Sequence, residues 1–103
     1  MKYQINCTEE NAADIDLLDA FDRDSAGEFE RETRELCRNG RVNITLNLEY
    51  LNYLDSASLG MLVMLRAHVK RHNGELRLKN LKPQLMKTMR NMRLDIVFGL
   101  TEM

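Results

Sequence analysis

The sequence predicts an α/β domain built on a mixed sheet of four or five strands, with helices mainly on one face. The predicted elements follow the order β-β-α-β-α-β-α, and strand–helix–strand units imply parallel neighbours joined by right-handed crossovers. Apolar residues in the strands alternate with polar ones instead of forming continuous runs, which leaves one face of the sheet in water. A chain of 103 residues suffices for one modest core, so residues 1–103 are predicted to form a single domain.

The N-terminal third predicts a hairpin followed by a helix. Residues 2–8 alternate between apolar and polar side chains, and residues 15–18 make a second strand after a polar turn. Ser25 and Glu28 have the spacing of a capping box. The first helix is therefore predicted to begin there and to end in the basic turn at Arg38, just before a glycine.

Two further strand–helix units and an apolar end complete the chain. A strand that begins near residue 42 runs into a junction at residues 55 and 56, and a strongly apolar helix follows to about Arg71. Residues 75–79 alternate as another strand, and Pro83 is placed for the first turn of a helix. In the apolar end, residues 96–98 are predicted to form a short strand or an extended segment.

Composition and charge narrow the class of function. The formal net charge is -1, so the chain has no sequence-independent attraction to nucleic acid or to an anionic membrane. No apolar run approaches the roughly 20 residues of a membrane-spanning helix, and the N-terminus has no secretory pattern. Cys7 and Cys37 lie far apart in sequence and are expected to be buried and reduced. These features predict a cytoplasmic protein without membrane insertion or direct binding of nucleic acid.

Motifs of enzymes and metal sites are missing from the sequence. There is no G-x-S-x-G elbow and no glycine-rich phosphate loop, so we predict neither catalytic residues nor a cofactor. His68 and His72 have the i, i+4 spacing of a metal-binding pair, but no motif supplies further ligands. We expect no metal site, and two solvated histidines near the C-terminus of their helix.

The junction at Asp55 and Ser56 is the candidate functional site. Ser56 has the position of an N-cap whose side-chain oxygen accepts from the N–H of residue 58 or 59, and that role alone would make it structural. A functional role is favoured because the turn lies at the C-terminal edge of the sheet, where open α/β sheets place their sites. Small Ala57 and Ser58 leave the hydroxyl accessible, and Gly60 admits a partner close to the first turn of the helix.

The stretch 47–60 resembles the signature of the STAS-domain anti-sigma factor antagonists, in which Asp-Ser is followed by two small residues and Leu-Gly. The resemblance covers nearly the whole chain and implies a STAS-like fold. It implies that Ser56 is phosphorylated by an anti-sigma factor with kinase activity, with Ser58 as the weaker candidate. By the same resemblance, Asp55 and Asp22 are acidic neighbours of the site.

The flanking pattern resembles the family with two departures. Residues 74–78, Pro83 and residues 94–98 look like the family's fourth strand, third-helix start and closing segment. Asp19 and Arg93 stand where the family usually has glycine. These two substitutions bear on the shape of the loops that contain them.

The resemblance implies a bacterial signalling protein that regulates transcription by partner switching. Unphosphorylated, it would bind an anti-sigma factor or switch-protein kinase and release that partner's target; phosphorylation at Ser56 would end binding, and a serine phosphatase would reverse it. Met61 and Met64 belong either to the core of a central helix or to an adaptable docking surface.

Two other functions stay open. In the first, the chain is a constitutive scaffold subunit of a complex, such as one for lipid transport, and Ser56 is only a helix cap. The second is a nucleotide-responsive module, which no phosphate-loop motif supports. A weak homodimer is compatible with any of these functions.

Overall fold

The chain folds around a mixed sheet that contains five strands within the part described by the computed structural model. That part comprises residues 2–21 and 23–100, without the side chains of residues 2 and 23–25. The strands are β1 (Lys2–Glu9), β2 (Ala12–Phe21), β3 (Asn43–Asn47), β4 (Leu51–Leu54) and β5 (Glu75–Lys79). The helices are α1 (Arg23–Arg38), α2 (Ser56–Arg71), α3 (Pro83–Asn91) and α4 (Leu94–Val97).

The sheet has the mixed topology that the order of elements predicts. Its strand order is β1-β2-β3-β5, and β4 pairs with β2 off this path. The opening hairpin pairs β1 and β2 antiparallel, whereas β2 pairs parallel with both β3 and β4, and β3 pairs parallel with β5. Parallel pairing requires a crossover, and α1 and α2 supply the two long ones.

The two faces of the sheet differ in polarity because apolar and polar residues alternate along each strand and the paired strands are in matching register. One row across the strands is apolar and the adjacent row is polar. The apolar row contains Ile5, Ile15, Leu46 and Leu78, and the polar row contains Gln4, Asp16, Asn47 and Lys79. Helices α1 and α2 bury their apolar stripes on the first face, where the rings of Phe21 and Phe29 pack edge to face at 5.2 Å. The prediction of one wet face is therefore confirmed.

The strand before the candidate site is interrupted, where the sequence pattern predicted a continuous one. β3 ends at Asn47 and remains beside β5, while β4 begins at Leu51 and pairs with the last residues of β2. A short turn joins them, in which the N–H of Leu51 donates to the carbonyl oxygen of Leu48 at 3.2 Å. The turn delivers the chain to the C-terminal end of β2, where α2 begins.

Asp19 and Arg93 both have a positive φ angle, a backbone conformation that glycine adopts most easily. Asp19 has φ 62° and lies at the register shift between β2 and β4, and its N–H donates to the carbonyl oxygen of Tyr50 at 3.0 Å. Arg93 has φ 59° and immediately precedes α4. These are the two positions where the resembling family usually has glycine, so the substitutions leave the left-handed loop conformation in place.

Other boundaries differ from the sequence-based prediction. The second strand is longer than residues 15–18, and α1 begins at Arg23, earlier than the capping signal indicates. Residues 94–97 form a short helix and not a strand, with the N–H of Phe98 donating to the carbonyl oxygen of Leu94 at 2.9 Å. Cys7 lies on the edge strand β1 and is exposed, contrary to expectation, whereas Cys37 is buried as expected. Among the described residues no helix is long and apolar enough to cross a membrane.

Candidate functional site

The N-cap of α2 is Asp55 and not Ser56, which corrects the prediction by one residue. Asp55 directly follows β4 and has an extended backbone, with φ -96° and ψ 170°, as an N-cap requires. Its carboxylate accepts from the N–H of Ser58 at 2.8 Å, and its carbonyl oxygen accepts from the N–H of Leu59 at 3.0 Å. Ser56 is already the first helical residue, so its hydroxyl has no capping role.

The Ser56 hydroxyl is available for chemistry. The residue is exposed, as is its neighbour Ala57, and within the described part of the chain no hydrogen bond engages the Ser56 side chain. The N–H groups of these two residues precede the first intrahelical hydrogen bond of α2, which runs from Leu59 to Asp55. An oxygen-rich group on Ser56 would thus meet unpaired donors at the positive end of the helix dipole.

Ser58 is buried and structurally occupied. Its Oγ donates to the carbonyl oxygen of Phe21 at 2.8 Å, across a sequence separation of 37 residues. This hydrogen bond ties the first turn of α2 to the end of β2. Modification of this hydroxyl would require opening that contact.

Gly60 is exposed one turn beyond the cap. A Cβ atom built on it would meet no atom within 4 Å outside its own helix, so internal packing does not require glycine. Glycine inside a helix costs about 0.5–1 kcal/mol relative to alanine. The open surface beside Gly60 is therefore compatible with the close approach of another molecule.

One of the two methionines at positions 61 and 64 of α2 is buried and the other is exposed. Met61 is 8% exposed and belongs to the core, whereas Met64 is 60% exposed. Of the two alternatives, the core therefore applies to Met61, which packs under the helix, and not to Met64. Met64 keeps its place on the exposed face, one turn after Gly60.

Two exposed tyrosines near the site were missed from the sequence. Tyr50 is 53% exposed in the turn before β4, and Tyr53 is 52% exposed three residues before Ser56. The sequence did contain a signal for Tyr53, because Leu51 and Leu54 at the two ends of this four-residue strand are buried and the two residues between them are exposed. Exposed tyrosines are common anchors of protein interfaces. Asp22, predicted as another neighbour, lies outside the described residues.

The histidine pair at the other end of α2 forms no metal site with described residues. The rings of His68 and His72 lie 4.7 Å apart, and no group of three potential ligands occurs in residues 2–21 and 23–100 whose side chains are described. His68 is half-buried and not solvated as expected, and its buried Nε2 has no hydrogen-bond partner among the residues that the structure describes. Burial, followed by the positive charge of Arg34, lowers the pKa of His68 below its usual 6.5.

Comparison with protein families identifies the class of domain. The family model described as "Mlab, STAS domain" matches residues 7–102. The chain belongs to this STAS-domain family. A search of curated protein sequences gives no significant match.

Solved structures of anti-sigma factor antagonists share the fold. The unphosphorylated form of the anti-sigma factor antagonist SpoIIAA superimposes with a TM-score of 0.75 at 18% identity, covering 96% of this chain and 100% of that one. The phosphorylated form of the Bacillus cell fate determinant SpoIIAA gives 0.76 at 19% identity, with coverages of 90% and 85%. A candidate anti-sigma factor antagonist of Thermotoga maritima gives 0.79 at 17% identity, with coverages of 92% and 81%.

Proposed function

We propose that this STAS protein is a phosphorylation-switched binding protein, similar in action to the anti-sigma factor antagonists, and not an enzyme. Ser56 is the phosphoacceptor in this proposal. The observation that carries it is the contrast between two nearby hydroxyls: that of Ser56 is exposed and unused by the fold, and that of Ser58 is buried against Phe21. The likeness of the fold to SpoIIAA, which has been solved with and without phosphate, supports the same assignment.

A phosphate on Ser56 would change binding without unfolding the domain. It would add about -1.5 to -2 charge beside Asp55, at a helix end whose N–H groups and dipole accommodate anions. A partner that docks over this turn would have to desolvate that charge, which costs several kcal/mol unless a matching cation is present. A cost of that size lowers affinity by orders of magnitude.

The proposed partner surface surrounds the serine. It consists of Tyr53 before the cap and Ala57, Gly60 and Met64 along the exposed side of α2. We propose that an anti-sigma factor or serine kinase occupies this surface in the cytoplasm of a bacterial cell, and that a serine phosphatase restores the binding form. Because Asp55 already caps α2, the alternative in which Ser56 serves only as the cap lacks support.

Peptide mapping of the protein isolated from its native cell tests the proposal. Trypsin would release residues 42–66 as one peptide that contains Ser56 and Ser58, and fragmentation between the two assigns a phosphate to one of them. A phosphate on Ser56 that varies with growth conditions is the expected result. If Ser56 carries no phosphate under any condition, the alternative of a constitutive subunit would be favoured instead.

Matched variants separate the switch from the fold. Ser56→Asp should weaken partner binding at least about tenfold while the domain remains folded. Ser56→Ala should bind constitutively, and both should unfold at the same temperature as wild type to within a few degrees. Equal partner binding by both variants would refute the switch.

A further inference from the structure

An open groove lies at the β5 edge of the sheet, at the other end of the strand order from β1. It has a volume of about 380 Å³ and separates β5 from residues 96–100, with Arg66 of α2 at its side. Ligand sites in proteins typically span about 300–1,000 Å³. Arg66 lies ten residues after Ser56, about 15 Å along the helix axis, so this groove is distinct from the proposed phosphoacceptor turn.

One wall of the groove is the edge of β5 that faces away from β3. β5 pairs only with β3 within the described sheet. The N–H of Glu75 donates to Val42 at 3.0 Å and the carbonyl oxygen of Lys79 accepts from Leu48 at 3.0 Å, so the odd-numbered residues face β3. Because alternate residues of a strand direct their backbone groups to opposite sides, Leu76 and Leu78 present theirs to the groove.

The charged side chains around this edge are mostly basic. Arg66 and Arg77 line the groove, and neither has an ion-pair partner among the described side chains. Glu75 also lines the groove, and its carboxylate is bound by Lys70 at 2.6 Å. That hydrogen bond, with smaller contributions from the positive charges of Arg77 and Arg66, lowers the pKa of Glu75. Residues 66–93 contain nine Lys or Arg and one acidic residue.

We propose that this groove binds an extended acidic segment of a partner protein, which adds a strand to the edge of β5. Its backbone would hydrogen-bond to Leu76 and Leu78, and acidic side chains would pair with Arg66 and Arg77. A second copy of this chain is disfavoured because β5 against β5 would bring like charges together. The inference does not depend on phosphorylation of Ser56.

Amide hydrogen exchange with synthetic peptides tests this docking mode. The probe is a blocked pentapeptide Glu-Glu-Val-Glu-Glu, whose acidic side chains reach both faces of an added strand, and the control has Lys in place of each Glu. In the free protein the amides of Leu76 and Leu78 should exchange quickly while that of Arg77, which faces β3, exchanges slowly. Millimolar acidic peptide should slow exchange at Leu76 and Leu78 at least about tenfold and leave Arg77 unchanged. The lysine peptide should have no effect.

Charge reversal supplies the specificity control. The double variant Arg66→Glu/Arg77→Glu should lose the response to the acidic peptide and gain one to the lysine peptide, with an unchanged unfolding temperature. Absence of protection, or protection confined to the Ser56 turn, would overturn the proposal. Slow exchange of the Leu76 and Leu78 amides in the free protein would also overturn the proposal. If that protection increased with protein concentration, the occupant of the edge would be a second copy of the chain. If it did not, the occupant would be the chain's own residues 101–103.

Discussion

Removing the side chain of Asp55 should destabilise the domain far more than removing the hydroxyl of Ser56. The Asp55 carboxylate accepts from Ser58 at 2.8 Å and places a negative charge at the N-terminus of α2. Loss of an N-cap acceptor costs about 0.5–2 kcal/mol, and the charge at the helix end contributes about 0.3–1 kcal/mol of that. Ser56→Ala removes no hydrogen bond to a described residue, so its effect should stay within about 0.5 kcal/mol.

Thermal and urea unfolding of four proteins measures this difference. Asp55→Ala should lower the unfolding midpoint by roughly 2–16 °C, since 1 kcal/mol corresponds to about 4–8 °C in a domain of this size. Asp55→Asn keeps the acceptor and loses the charge, so it should lie between Asp55→Ala and wild type. Equal losses for Asp55→Ala and Ser56→Ala would show that the Ser56 hydroxyl is part of the cap, and would remove the physical basis of the proposed switch.

Three further predictions follow from single contacts. Ser58→Ala should cost about 1–3 kcal/mol in urea unfolding, because the carbonyl oxygen of Phe21 loses its buried donor; a neutral effect would contradict the contact. Arg93→Gly should gain about 1 kcal/mol, since glycine adopts φ 59° without strain, and a lower midpoint in thermal unfolding would contradict this. Because the pKa of His68 is lowered, the unfolded state binds its proton more readily, so stability is full above pH 6.5 and declines below it. His68→Gln should flatten that decline in urea titrations between pH 7 and 5, and equal slopes would exclude His68 as its source.

The elements with a regular period were predictable from the sequence. β5 follows from the alternation of buried Leu76 and Leu78 with charged residues, and the start of α3 follows from Pro83, which tolerates the first helical position because its missing N–H needs no partner there. These signals are local, so no knowledge of the tertiary structure was needed. The place of the candidate site at the end of a strand was predictable for the same reason.

The elements that depend on tertiary contacts were not predictable in this way. The break between β3 and β4 exists because the chain changes partner from β5 to the end of β2, and Asn47 is buried there by hydrogen bonds to Asp16 and Asn80. The shift of the cap to Asp55 has a similar origin. Aspartate and serine are about equally good N-caps, and the length of β4 decides which of them is still extended.

The surface near Ser56 separates residues that the fold needs from residues that it does not. Asp55 and Ser58 make the hydrogen bonds that hold the first turn of α2, and burial fixes Ser58 in place. Ser56 and Gly60 make no such hydrogen bond to a side chain that the structure describes, and glycine at position 60 even lowers the stability of the helix. A phosphate on Ser56 would therefore act on binding energy with little effect on folding energy. That separation is what a switch requires, because a modification that unfolded the domain could not be reversed by removing one group from its surface.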